Sequence, residues 1–374
     1  MASLLNILTI IDILITPETM TQTTKSLSFL DRFLPLWIAA AMAIGLILGK
    51  IAPSLVNWLA EAKIATISVP IAIGLLVMMY PPLAKVRYDK TGKILTSRKL
   101  MGITVFLNWI LGPALMFTLA WIFLSDSPEL RTGVIIVGLA RCIAMVLVWN
   151  DLSCGDTEVA AVLVAVNSLF QIFMFGALGW FYLQILPSWL GLETTSASFS
   201  FWAIALSVVV FLGIPLLAGA ASRIIGERTR GRDWYENEYL PKISPLALAG
   251  LLYTIVLLFA LQSQQILENP WTVAKVALPL VIYFLAMFAI ALTSAKAAGM
   301  NYATSASIAF TAAGNSFELA IAVAIGTFGP LSQQALAGTI GPLIEVPVLV
   351  ALVYVTRWLG PRLFPNDLSV PDKL

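Results

Sequence analysis

Histidine does not occur in this chain, and cysteine occurs only twice. Without histidine there is no usual proton shuttle near neutral pH and no commonest metal ligand. Proton chemistry, if there is any, must run through carboxylates. Cys142 and Cys154 stand twelve residues apart, which matches neither a CxxC redox pair nor a zinc pattern. Charge is also scarce: Asp, Glu, Lys and Arg make up 11% of the 374 residues. A soluble domain carries about twice that fraction. The net charge of +2 leaves no nucleic-acid footprint. Apolar residues fill the gap at 59%, spread along nearly the whole chain, with a mean hydropathy of +0.92. This composition excludes a soluble enzyme and predicts an all-α polytopic membrane protein.

A spanning helix takes about 20 apolar residues. Ten runs qualify: 33–51, 64–82, 102–124, 133–152, 158–186, 201–225, 240–261, 273–297, 302–328 and 333–359. Basic residues orient them. Six Lys/Arg lie in "KVRYDKTGKILTSRK" between the second and third runs, and five in "SRIIGERTRGRDWYENEYLPK" between the sixth and seventh. The positive-inside rule puts both segments in the cytoplasm. Ten helices then leave both termini cytoplasmic, with 17 basic residues inside, four outside and Arg141 within a span. Residues 1–32 have no basic stretch ahead of their apolar run, so they read as a cytoplasmic tail rather than a signal peptide. Residues 360–374 form the second tail.

The halves 33–186 and 201–359, joined by an extracytoplasmic linker at 187–200, resemble each other. A shift of 174 lays Arg141 on Asn315, Cys142 on Ser316, Gly155 on Gly329, Asn167 on Gly341 and Gln171 on Glu345. Five helices per half give the second half the opposite orientation, which is an inverted-topology repeat. Helices 4 and 9 correspond, and both carry small or polar residues at mid-span, "GLARC" and "TAAGNSFE". Two discontinuous helices crossing at mid-membrane are therefore expected, since unwound backbone survives in lipid only where it lines protein or a watery cavity.

"VGLARCIAMVLVWNDLSCGD", Val137–Asp156, concentrates the chemistry. A charge at mid-membrane costs at least about 2.5–3.5 kcal/mol and marks function by default. The repeat sets Arg141 near Glu318, predicting that they pair or share a cavity. Cys142 is read as a reactive thiol, although a buried cysteine is more often a small hydrophobe. Asn108, Asn167, Gln171 and Glu345 are further polar residues within spans. Helical spacing puts Asn167 and Gln171 on one face. Asn108 and Asn167 are carried as candidate ligand contacts. Gln171 is read as an interhelical hydrogen bonder, and Glu345 either as a second carboxylate for a proton path or as a structural hydrogen bonder beside Pro347.

The strings "LARCIAMVLVWNDLSCGD", "AVNSLFQI", "GNSFELAIAVAI" and "GTIGPLIEVPVLV" together resemble the arsenical-resistance-3 family of the bile acid/arsenite/riboflavin transporter superfamily. The resemblance runs from Arg32 to Leu359. It implies a panel of helices 1, 2, 6 and 7 beside a core of helices 3–5 and 8–10. It implies no enzyme activity and no cofactor. Its essential cysteine after an arginine falls on Cys142 and Arg141, and its essential glutamate on Glu318. The implied activity is export of arsenite through the plasma membrane against protons, with antimonite as a second candidate cargo. Cys142 would hold As(III), with Arg141, Asn315 and Ser316 on its hydroxyls and Glu318 and Glu345 carrying protons. Cys154 departs from the family pattern and receives no role. The competing readings are a sodium-coupled organic-anion symporter of the same fold, a membrane thiol oxidoreductase and a non-transporting sensor. The sequence does not give the oligomeric state.

Overall fold

The computed structural model describes residues 33–64, 67–86, 97–143, 145–194, 201–365, 367 and 369–370. The N-terminal tail, most of the first basic loop and parts of the linker and C-terminal tail lie outside them. Chain contacts separate Met1–Leu34 from Pro35–Leu374. The description below concerns the second unit.

Among the described residues, seven helices are long and apolar enough to cross a membrane. They are α1 (Leu34–Ile51), α4 (Arg98–Phe123), α7 (Thr157–Trp189), α8 (Ile204–Arg230), α9 (Arg232–Leu261), α11 (Pro270–Ala297) and α14 (Gln333–Leu363). Between them lie α2 (Pro53–Glu61), α3 (Val69–Ala84), α5 (Pro128–Leu139), α6 (Met145–Leu152), α10 (Ser263–Glu268), α12 (Tyr302–Ala313) and α13 (Phe317–Phe328). A two-residue antiparallel pair, β1 (Lys63–Ile64) and β2 (Ile67–Ser68), departs from the all-helical expectation. It also moves the start of the second predicted helix from residue 64 to Val69.

Four of the prolines in the long helices follow a π-turn, whereas Pro245, Pro279, Pro342, Pro347 and Pro361 lie inside helices without one. Among the described residues, four π-turns interrupt the long helices, at Leu107–Leu111, Phe181–Ile185, Val209–Gly213 and Tyr235–Tyr239. Each ends two residues before a proline: Pro113, Pro187, Pro215 and Pro241. A proline ring clashes with the carbonyl four residues back and offers it no N–H. In each case that carbonyl lies within the π-turn, where the wider winding makes room for the ring.

Within the second unit, α3 packs between α8 and α9, while α14 packs on α5, α11 and α13. Gly45 and Gly49 on α1 form a small-xxx-small face. A Cβ on Gly45 would stand 2.6 Å from the Val256 carbonyl oxygen, and one on Gly49 would overlap Ser263 and the Ala260 carbonyl. Both glycines therefore let α1 approach α9 closely.

The two helices expected to be discontinuous are broken. The first runs as α5, is unwound over 140–143 and resumes as α6 from Met145; the second runs as α12, unwinds over 314–316 and resumes as α13. Both α5 and α12 are 12 residues long, and their bounds differ by 174 residues at each end.

Candidate functional site

The unwound segments meet each other. Arg141 and Asn315 form an isolated antiparallel bridge. The Cys142 N–H donates to the Gly314 carbonyl at 3.3 Å, and the Ser316 N–H to the Ala140 carbonyl at 3.0 Å. These two bonds exchange under the shift of 174, so each half supplies the other's missing backbone partner. A helix end leaves orphan N–H and C=O groups, and a membrane interior holds no water to satisfy them.

Two further bonds repeat at the same interval. The Arg141 backbone N–H donates to Gln171 Oε1 at 2.7 Å, and the Asn315 N–H to Glu345 Oε1 at 3.3 Å. Ser316 caps α13: its Oγ accepts from the Leu319 N–H at 3.4 Å and donates to Glu318 Oε2 at 3.0 Å.

Arg141 is wholly buried, yet it forms no ion pair with Glu318. Its Nη1 donates to the Tyr283 hydroxyl at 2.9 Å and to the Ala312 carbonyl at 3.5 Å, and its Nη2 to the Gly138 carbonyl. The expected pairing is thus corrected. Carbonyls freed at the C-terminal ends of α5 and α12, where the helix dipole is negative, take the guanidinium instead. Room for it comes from Gly112, where a Cβ would stand 2.8 Å from Arg141 Nη1 and 3.1 Å from the Tyr283 hydroxyl.

Cys142 is a buried free thiol, 2% exposed. A Cβ on Gly314 would lie 3.1 Å from Cys142 Cβ and 3.3 Å from Glu345 Oε1, so thiol and carboxylate flank one glycine. Glu345 and the half-buried Glu318 line a cleft together with Met145, Ile38 of α1 and Leu251 and Ile255 of α9. Its volume of about 20 Å³ holds roughly one water. Arg141, Cys142, Asn315, Ser316, Glu318 and Glu345 therefore converge where the helices break.

Asn108 and Asn167 lie in a separate network. Asn108 donates to the Thr104 carbonyl at 2.9 Å, Asn167 to Asn108 at 3.5 Å, and the Trp109 indole to Asn167 at 3.2 Å. Sequence reasoning did not give Gln171, Tyr283 or Gly112 a place at the break. Gln171 carried a signal, since the shift of 174 already set it on Glu345. Tyr283 and Gly112 carried none.

Buried polar atoms remain unmatched at the meeting point. Arg141 Nε, Gln171 Nε2 and both Asn315 side-chain atoms have no hydrogen-bond partner among the described residues. Together they offer donors and an acceptor to a small polyhydroxylated solute. Among the described residues, no group of three or more His, Cys, Asp or Glu could hold a metal ion.

Broken helices facing each other inside a multi-pass helical protein are the arrangement found in secondary transporters. The model of the Sodium Bile acid symporter family matches residues 72–269. The arsenical-resistance protein Acr3 of Corynebacterium glutamicum is 68% identical over 92% of this chain and 94% of its own length. Acr3 of Alkaliphilus metalliredigens is 33% identical over 91% of the chain and 96% of its own length. An uncharacterized transporter of Synechocystis is 34% identical over 93% and 92%. The chain belongs to the arsenical-resistance Acr3 proteins within the sodium/bile acid symporter family.

Proposed function

We propose that the protein exports arsenite from the cytoplasm across the plasma membrane in exchange for protons, with antimonite as a second cargo and both termini cytoplasmic. In this reading ten membrane segments form two inverted five-helix repeats. A panel (α1, α3, α8, α9) rocks against a core (α4–α7, α11–α14) around the meeting of the broken helices. The repeated bonds at an interval of 174 residues support the inverted repeat, because alternating access is what such symmetry serves.

One observation carries the choice of cargo: a single thiol, Cys142, stands at that meeting beside unmatched polar atoms and two carboxylates. Trivalent arsenic is soft and selects thiolate sulfur. At neutral pH it is mostly the uncharged trihydroxide. Condensation forms one S–As bond and breaks one As–OH bond; the thiol proton leaves with the hydroxide as water. Three thiols would trap the metalloid, whereas one holds it reversibly. Arg141, Asn315 and Ser316 then bind the remaining hydroxyls. The cleft as it stands is too small for such a solute, so binding and release accompany movement of panel against core. Glu318 and Glu345 carry the return proton, the task that the absence of histidine leaves to carboxylates.

The family's name favours a second reading, a sodium-coupled symporter of organic anions. The buried Arg141 argues against a cation at the same crossing by charge repulsion. Arsenite accumulation in everted vesicles separates the two. A proton gradient should drive it in the parent protein, Cys142→Ser should abolish it at unchanged expression, and sodium should have no effect. Sodium-dependent uptake without arsenite movement refutes the proposal.

A further inference from the structure

We infer that Gln171 is a positioning residue of the substrate site: its carboxamide holds the Arg141–Cys142 segment where the thiol is presented to cargo. The inference rests on the transport reading above. The Arg141 N–H lies in the unwound segment after α5, where no helical carbonyl serves it and there is no water to turn to. Gln171, wholly buried, accepts it at 2.7 Å. In the other half Glu345 does the same for Asn315, and each cap stands 30 residues after the amide it holds. One task is thus done by two different side chains, an amide that exchanges no proton beside the thiol and a carboxylate opposite it. Gln171 Nε2 also belongs to the set of buried atoms left without a partner. The same side chain therefore fixes the backbone next to Cys142 and keeps a donor for a hydroxyl.

The test uses the full chain in everted vesicles, in a Cys154→Ser background that leaves Cys142 as the sole thiol. Two quantities are read: the KM for arsenite uptake, and the arsenite concentration that half-protects Cys142 from a membrane-permeant maleimide without a gradient. Gln171→Leu should raise both about tenfold, the scale of one lost buried hydrogen bond, and lower Tm modestly, because the Arg141 N–H is left without an acceptor. Gln171→Glu keeps an acceptor oxygen and should bring KM back to within about threefold. Parental KM and protection in Gln171→Leu overturn the inference. Should that variant fail to fold, Gln171→Asn, one methylene too short for the bond, must raise KM, and a parental value there overturns it equally. A parent that neither accumulates arsenite nor is protected by it means that the transport reading has failed. The maleimide rate then decides alone: faster labelling in Gln171→Leu upholds the positioning role, and equal labelling overturns it.

Discussion

A guanidinium buried without a carboxylate must find its acceptors among neutral oxygens. Arg141 finds them on Tyr283, Ala312 and Gly138, within the space that Gly112 leaves. Any side chain at Gly112 would press on both Arg141 Nη1 and the Tyr283 hydroxyl. Gly112→Val is therefore expected to lower Tm in detergent and to reduce arsenite transport at least tenfold, which overpacking of about 1–3 kcal/mol allows. Gly102, which meets nothing within 4 Å, is the matched control, and Gly102→Ala should behave as the parent. Glu318 takes a hydrogen bond from Ser316 and no ion pair from Arg141. It is thus free to serve as a proton carrier, and Glu318→Gln should bind arsenite yet lose gradient-driven accumulation. Full accumulation in that variant, measured in energised vesicles, would remove Glu318 from the coupling path. At this scale the sequence displayed the residues but not their partners. "RC" and "NSFE" stood out because polar groups in an apolar run are conspicuous. Which oxygen satisfies Arg141 depends on where α4 and α11 bring Gly112 and Tyr283, and no local pattern carries that.

Elements were legible where length and hydropathy alone decide them. Most of the long apolar runs became helices within about five residues of expectation, because lipid admits no other backbone for a continuous apolar segment; the exception is the basic segment read as a loop before residue 240, where α8 runs on to Arg230 and α9 already starts at Arg232. The two breaks were legible for the same reason, since small and polar residues at mid-span need an unwound, protein-lined place. The π-turns were not anticipated, although each proline that accompanies one is visible. The hairpin ahead of α3 was not anticipated either, being only two residues per strand. Two connections between elements lead to measurements. Gln262 of the α9–α10 junction donates to the Pro330 carbonyl at 2.8 Å, and Gln265 of α10 to the Leu331 carbonyl at 3.1 Å. These bonds tie α10 to the loop between α13 and α14. Gln262→Leu should speed amide hydrogen exchange across 329–333 about fivefold, the effect of one lost bond. Unchanged exchange would show that packing alone holds the loop. In the loop after α4, Asp126 accepts from Lys275 at 2.5 Å, and this hydrogen bond holds its carboxyl below the ordinary range. A depressed carboxylate stabilises the fold above its unfolded pKa and loses that contribution as pH falls through the lower folded value. Asp126→Asn should therefore match the parent's Tm in strong acid and fall below it only nearer neutrality. The difference should be small, because the carboxylate is exposed and screened.

At the scale of the whole molecule, neither half completes its own broken helix. Ala140 and Gly314 lend their carbonyls to Ser316 and Cys142 across the meeting point, and those residues lie 174 positions apart. The chain is made in one direction, at roughly 5–20 residues per second. For roughly 10–35 s after Cys142 is added to the growing chain, its partner residues do not yet exist. The first half therefore enters the membrane with an unfinished helix, its thiol segment unpaired until Gly314–Ser316 arrive. A nascent chain arrested at residue 300 should expose Cys142 to maleimide far more than the finished protein does, and one arrested after 359 should not. Biogenesis thus contains an interval in which the thiol segment stands without its second-half partners and is chemically vulnerable.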